Sequence, residues 1–173
     1  MNNKGFTLTE LLVTLVVLAI ISAITIPNIT GILEDNRINV AIEDANKMYE
    51  TVKSLEATKK IEKPTEANAC TAVTLRALDK EDNFNTTANN GTYDKDNSYV
   101  IIKKTTTVTA KGIDIIYKYY ITLIEDTDGQ KSGLVNVDYS LLSKNSYDEE
   151  ATNYEITNIP TEICSGTPTI ITN

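Results

Sequence analysis

The feature that most constrains this chain is a long apolar run close to its N-terminus. From Phe6 to Ile26 the sequence has 21 residues, and Glu10 is the only charged one among them. At 1.5 Å rise per residue, a helix of this length measures about 31 Å, close to the hydrocarbon thickness of a bilayer. The sequence therefore predicts a transmembrane helix, which we assign to residues 6–30.

A short basic leader precedes the apolar run. Residues 1–5 contain Lys4 and end at Gly5. In an ordinary secretory signal the cleavage site follows the apolar segment. Here cleavage after Gly5 would remove residues 1–5 and keep the apolar helix in the mature protein. Glycine suits such a site because its backbone enters a protease cleft without a side chain in the way.

Glu10 is the one residue that conflicts with an apolar environment. A charged side chain at the centre of a membrane helix costs on the order of 2.5–3.5 kcal/mol on insertion scales, and less near the interface. Ionisable residues inside membrane segments are therefore functional candidates. The plain alternative is that Glu10 lies at the membrane interface, in contact with water. The position of Gly5 just ahead of the apolar run favours a functional role for Glu10 instead.

Residues 4–13, KGFTLTELLV, resemble the class III signal of type IV pilins and pseudopilins, and the resemblance covers about the first 30 residues. It implies that a membrane prepilin peptidase cuts between Gly5 and Phe6 and N-methylates Phe6. It also implies that Glu10 pairs with the terminal amine of a neighbouring subunit and that Pro27 bends the helix. Pairing would make the buried carboxylate far less costly.

The resemblance implies a type IVa-like major pilin, anchored once in the cytoplasmic membrane and then polymerised with copies of itself into an extracellular fibre. Its partners would be the prepilin peptidase, the pilus assembly platform and the assembly ATPase. Such fibres serve adhesion, twitching motility and biofilm formation. A pseudopilin of a type II secretion system and a competence pilin carry the same signal, so the N-terminus does not separate these alternatives.

The helix is predicted to continue past Gly31 as an amphipathic segment to about Lys60, closed by Pro64. Apolar residues recur every three or four positions, and charged residues mostly fill the opposite side. The predicted buried face consists of Ile38, Ala41, Ile42, Ala45, Met48, Tyr49, Val52 and Leu55. One apolar face requires a covering layer.

Three segments rich in β-branched and aromatic residues predict an antiparallel meander, at Tyr99–Ala110, Ile113–Glu125 and Leu134–Leu142. Turns are predicted at Lys111-Gly112 and at Asp126–Gly129. The predicted inward sets are Ile113, Ile115, Tyr117, Tyr119, Ile121 and Leu123 on one strand, and Val135, Val137, Tyr139 and Leu141 on the other. The fold class is therefore α+β, a long helix on an antiparallel sheet, within a globular head that we assign to residues 31–173.

The remaining segments give weaker signals. Residues 65–80 are predicted to form a loop with a short helix, and 81–97 an exposed loop. Short strands are predicted at 154–157 and 169–172.

Composition excludes several classes of function. The chain has no histidine, so nucleophile–histidine pairs are impossible. A formal net charge of −8 argues against binding of nucleic acid. We expect no enzyme activity, cofactor or metal, and the alternative of another class is an anchored enzyme or binding protein that uses carboxylates.

Other candidate sites have plain explanations beside functional ones. Cys70 and Cys164 can form a disulfide or remain free thiols, because spacing alone does not settle geometry.

Asp126–Gly129 is similar to part of a calcium loop, yet residues 130–132 do not continue one, which favours a hairpin turn. The tyrosines of 117–120 favour strand packing over ligand stacking. Asn85 and Asn90 begin glycosylation sequons that chance explains.

Overall fold

The computed structural model describes residues 7–81, 84, 91–110 and 112–172, and for 25–30 the backbone alone. The chain divides into two compact units, Met1–Asn36 and Arg37–Asn173. The first is called the N-terminal unit and the second the head. Helix α1 spans Leu8–Ala57, so its residues up to 36 belong to the N-terminal unit and the rest to the head.

Helix α1 ends in a Schellman motif. Lys59 takes the left-handed conformation, with φ of 57°. Its N–H donates to the Glu56 carbonyl at 3.1 Å, and the N–H of Lys60 donates to the Leu55 carbonyl at 2.9 Å. These two bonds satisfy carbonyls that the helix end would otherwise leave open. Lysine stands where glycine is usual, so the sequence signal for this stop is weak.

The head contains one mixed sheet and a short helix. Its strands are β1 (Cys70–Thr74), β2 (Thr92–Tyr93), β3 (Tyr99–Thr109), β4 (Gly112–Thr127), β5 (Gln130–Asp138), β6 (Tyr147–Asp148) and β7 (Thr169–Ile171), and helix α2 is Leu75–Leu78. The order is β6-β5-β4-β3-β1-β7, with β2 also paired to β4. β7 runs parallel to β1, and the other pairs are antiparallel. The predicted α+β class is confirmed.

One face of the sheet packs against the head part of α1. The predicted helix face contributes Ala41, Ala45, Met48, Val52 and Leu55, all buried. The sheet contributes Val73, Val100, Ile102, Tyr119, Ile121, Leu123 and Leu134 to the same core. The amphipathic half of the helix thus has the covering layer that its pattern requires.

The opposite face of the sheet is covered by the C-terminal segment. Tyr99 and Ile101 of β3 pack there with Ile163, and Ile156 and Ile159 lie at the edge of this cluster. A second, smaller core therefore lies on the outer side of the sheet. The sequence pattern predicted only the core between the helix and the sheet.

Several sequence predictions outside the meander were wrong. Cys70–Thr74 forms strand β1 where a loop was expected, and Thr92–Tyr93 forms strand β2 inside the expected loop 81–97. The strand expected at 154–157 is absent, and Ile156–Asn158 forms a 3₁₀ turn instead. The strand expected at 169–172 is present as β7.

The inward pattern of β5 also differs from the prediction. A bulge shifts the register between Ile121↔Val137 and Leu123↔Leu134. The register shift lets Leu134 enter the core together with Val137, whereas Val135 is not part of it. Leu141, expected inward, lies exposed in a 3₁₀ turn. A bulge of this kind breaks the period of two on which the prediction relied.

Candidate functional site

The N-terminal end of α1 carries the candidate assembly site. Glu10 lies in the first turn, and Thr7 precedes the helix. The Thr7 N–H donates to Glu10 Oε2 at 2.9 Å, and the Glu10 N–H donates to Thr7 Oγ1 at 3.3 Å. This reciprocal pair is a capping box. Gly5 and Phe6, where cleavage and methylation are expected, lie outside the described residues.

The capping box was not among the sequence-based predictions. Its signal was available, because Thr7-Leu8-Thr9-Glu10 has the S/T-x-x-E pattern ahead of an apolar run. The box fixes the position of the Glu10 carboxylate on the first turn. A carboxylate there is also favoured by the helix dipole.

The N-terminal unit has an exposed apolar surface. Every side chain from residue 7 to residue 24 is exposed to solvent. The large apolar ones are Leu8, Leu11, Leu12, Val13, Leu15, Val16, Val17, Leu18, Ile20, Ile21 and Ile24. A helix that is apolar all round belongs in a membrane or in a bundle of helices. Within the part of the chain that the structure describes, no helix has the length and apolarity needed to cross a membrane.

Pro27 lies inside α1, whose bounds run from Leu8 to Ala57. Proline has no N–H to donate to the carbonyl one turn before it, which weakens the helix at this point. The bend expected there stays a prediction.

The two cysteines meet on the outer side of the sheet. Cys70 begins β1, and Cys164 lies in the covering segment, with a disulfide between them and a Cα–Cα distance of 5.9 Å. The bridge joins residues 94 positions apart. It fastens the covering segment to the sheet beside Tyr99 and Ile101.

The tyrosines of β4 pack within the head. The Tyr119 ring meets the Tyr49 ring edge to face at 5.1 Å between centroids, and its hydroxyl bonds the carboxylate of Glu56 at 3.0 Å. Lys63 lies over the Tyr117 ring at 4.8 Å. Burial raises the pKa of Tyr119 to about 12. These contacts are packing contacts, which the sequence favoured over ligand stacking.

The turn that is similar to a calcium loop is held by internal contacts. Asp126 accepts a bond from the Gly129 N–H at 2.9 Å and pairs with Lys131 at 2.8 Å. Asp128 and Gly129 both have positive φ and connect β4 to β5 as a two-residue hairpin loop. Across residues 7–81, 84, 91–110 and 112–172, no group of three or more potential metal ligands comes together.

The sequon residues Asn85 and Asn90 lie outside the described residues.

Comparison with known protein families places one motif on this chain. Residues 1–26 match the model of the prokaryotic N-terminal methylation motif, the class III prepilin signal of type IV pilins. No curated protein and no solved structure matches the chain. The motif supports a type IV pilin-like or pseudopilin protein, a structural class that is typically non-enzymatic. It implies processing by a prepilin peptidase, membrane anchoring and assembly into pili.

Proposed function

We propose that the chain is the structural subunit of a type IV pilus, and that it polymerises through its N-terminal helix into a surface fibre. A prepilin peptidase cuts between Gly5 and Phe6 and methylates the new amine of Phe6. The observation that carries the proposal is the match of residues 1–26 to the methylation motif at the start of a helix with an exposed apolar surface.

The apolar helix suits two successive environments. Before assembly, the proposed single span of the cytoplasmic membrane is the whole run from Phe6 to Ile26, which includes residues outside the described part of the helix, and its 21 residues match the bilayer core. After assembly it packs against the same helices of neighbouring subunits in the core of the fibre. In both states the apolar side chains of residues 8–24 are removed from water, which is what favours each state over the free subunit.

Glu10 sets the register between subunits in this proposal. Cleavage gives Phe6 a cationic amine, and methylation keeps that charge. A buried carboxylate is costly when alone and far less costly when paired and hydrogen-bonded. The bonds from Thr7 both end on Oε2 of Glu10. A carboxylate has two acceptor oxygens, so it can cap its own helix and accept from the amine of a neighbour at the same time.

The head coats the fibre and supplies its outer surface. Its two cores and the Cys70–Cys164 bridge make it a rigid cover for the helix bundle. The acidic composition of the chain keeps the exposed surface hydrated. Adhesion, twitching motility and biofilm formation are the roles that we propose for the fibre.

The test of this function is assembly by a Glu10→Gln variant. Glutamine keeps the size of the side chain and removes the charge that would meet the Phe6 amine. The matched control is Glu43→Gln, the same change at an exposed position of α1 in the head. We expect the control to form fibres at the wild-type level and Glu10→Gln to stay in the membrane fraction. Equal fibre yields from both variants contradict the role of Glu10.

A pseudopilin carries the same signal and is the second candidate. It would be recovered with the membrane, and sheared material from the cell surface would lack it. Fractionation of wild-type cells therefore separates the two functions before any variant is made.

A further inference from the structure

The disulfide of the head fastens a loop that has few other attachments to the sheet. We call residues 152–166 the covering loop. The chain is anchored on both sides of it, because the Ala151 N–H donates to the Lys131 carbonyl at 3.0 Å and Thr169 begins β7, which pairs with β1. Across the described residues 152–166, the backbone–backbone hydrogen bonds all stay inside the loop. The sheet therefore holds the covering loop without a backbone ladder.

The covering loop also buries little of its own surface. Only Ile163 and Cys164 are buried among its residues, all of which the structure describes. Side-chain bonds such as that from the Tyr99 hydroxyl to the Tyr154 carbonyl, at 3.2 Å, add single points of contact. Fixing the backbone of each residue costs conformational entropy, and so small a buried area offsets only part of that cost. The Cys70–Cys164 bridge is therefore the main attachment of the loop.

We propose that the bridge is a site of thiol–disulfide exchange, and that its reduction by a dithiol opens the covering loop while the core between α1 and the sheet stays folded. That core contains no residue of the loop, within the part of the chain that the structure describes. The loop packs instead against the smaller core on the outer face, through Ile156, Ile159 and Ile163. Opening takes place within the head, so its test and that of fibre assembly have separate outcomes.

Cys164 is the sulfur that a thiolate reaches more easily. Each cysteine is only 4% exposed, so access depends on the cavity beside it. Cys164 lines a cavity of about 470 Å³ whose lining residues are all uncharged. The cavity beside Cys70, of about 390 Å³, is lined by Glu62 and Glu66 as well as by Lys63. A thiolate is an anion, so the acidic cavity repels it, and it meets no such barrier at Cys164.

Lys103 lies where it favours departure of Cys70 as a thiolate. Cys70 and Lys103 are directly opposite each other in the β1–β3 ladder, so both side chains lie on the outer face of the sheet. The Lys103 ammonium also donates to the Glu162 carbonyl, two residues before Cys164. A nearby cation stabilises a thiolate, and exchange is faster when the leaving sulfur is more stable in that form. Lys103 therefore assists the exchange through the charge that it places beside Cys70.

The exchange is balanced in two steps. The first thiolate of the dithiol attacks Sγ of Cys164, a new S–S bond forms, the bond to Cys70 breaks, and Cys70 leaves as a thiolate that takes up a proton. The second thiol of the dithiol loses its proton and attacks the mixed disulfide, so that Cys164 leaves in turn and is protonated. The dithiol supplies both electrons and ends as a cyclic disulfide.

The first experiment is hydrogen–deuterium exchange, followed by mass spectrometry, on the full-length chain purified in detergent. Oxidised and dithiothreitol-reduced samples are compared. Reduction is expected to speed exchange at least tenfold in peptides from residues 156–164, whereas peptides from residues 48–55 and 121–124 stay protected after the loop has exchanged fully. The control is Cys70→Ser/Cys164→Ser, in which the loop should exchange fast with or without reductant. Equal protection of the loop before and after reduction overturns the opening, and so does loss of protection in all three regions together.

The attacked sulfur is identified by trapping with a monothiol. The oxidised chain is treated with reduced glutathione, quenched in acid and digested, and the peptide that carries glutathione is identified by mass spectrometry. The expected adduct is on Cys164, with Cys70 free. An adduct mainly on Cys70 overturns the assignment of the attacked sulfur.

The role of Lys103 is tested by the rate of reduction with dithiothreitol. Lys103→Gln is expected to slow reduction several-fold, and Lys103→Arg, which keeps the charge, should react at close to the wild-type rate. Lys104→Gln is the control, because Lys104 lies on the opposite face of β3 and donates to the Thr65 carbonyl, so its loss should leave the rate unchanged. If Lys103 only held the loop in place, Lys103→Gln would speed reduction. A rate equal to or above that of wild type therefore overturns the role of Lys103.

Discussion

Arg37 of α1 donates from Nε to Oε2 of Glu125 on β4, over 3.0 Å. Its Nη2 also donates to the hydroxyl of Ser132 on β5. Glu125 and Ser132 are fully buried. The ion pair to Glu125 and the hydrogen bond to Ser132 together connect Arg37, the first residue of the head, to two strands of the sheet.

Removal of Arg37 should be strongly destabilising. Arg37→Met leaves Glu125 buried without its counter-charge, and breaking a buried pair in this way costs about 3–5 kcal/mol. Unfolding of the mature chain in detergent, followed by near-ultraviolet circular dichroism, measures the loss. The double variant Arg37→Met/Glu125→Leu should recover most of it, because no charge is then buried. A double variant as unstable as the single one contradicts the explanation.

Glu125 should also give the head a distinct pH dependence. Burial raises the pKa of its carboxyl above the usual value, against the opposing effect of Arg37. The folded state therefore holds this proton more tightly than the unfolded state. The contribution of Glu125 to the free energy of unfolding is largest below about pH 4.5 and falls as pH rises through the folded pKa. Unfolding of wild type and Glu125→Gln across pH 4–8 should show the wild type losing stability relative to the variant, and parallel curves contradict this.

The disulfide should contribute a large share of the stability of the head. A bridge across 94 positions is worth roughly 4–5 kcal/mol in the chain-entropy model. Cys70→Ser/Cys164→Ser should lose about that amount in chemical denaturation, while Ser165→Ala next to the bridge should lose little. A wild-type chain whose unfolding does not change when reductant is added contradicts the pairing.

Gly133 should not tolerate a side chain. Its φ is 141°, and a Cβ built there would overlap the backbone carbonyl of Leu123 on the neighbouring strand. Gly133→Ala should therefore shift the register or strain β5, at a cost of about 1–3 kcal/mol or more. Gly166→Ala is the control, because nothing lies within 4 Å of a Cβ at that position. Equal melting temperatures of the two variants contradict the overlap.

The parts of the fold with a regular period were predictable from the sequence. The helix face from Ala41 to Leu55 follows the spacing of 3.6, and β3 and β4 follow the spacing of two. Strand β1 was missed because all five of its residues are buried, so it has no alternation. Its identity depends on pairing with β3 and β7, which are distant in sequence.

The contacts of single charged residues were the least predictable part of the head. Glu56 has a helix spacing that suggests the polar side, yet its side chain is almost fully buried between Lys53, Lys63 and the Tyr119 hydroxyl. Ile113 and Ile115 have the spacing of core residues, yet they lie beyond the core, at the exposed end of the β3–β4 hairpin. The spacing of apolar residues identifies one face of a helix or strand. Whether that face is buried depends on how far the layer packed against it extends.

The central claim is that the chain is processed after Gly5 and built into a surface fibre. Mass spectrometry of sheared, purified surface fibres tests it most directly, because one spectrum reports the terminus, the modification and the location. The expected result is that the chain is a main component of the fibre and begins at N-methylated Phe6. A mature chain that keeps Met1, or that is found only in the membrane fraction, contradicts it.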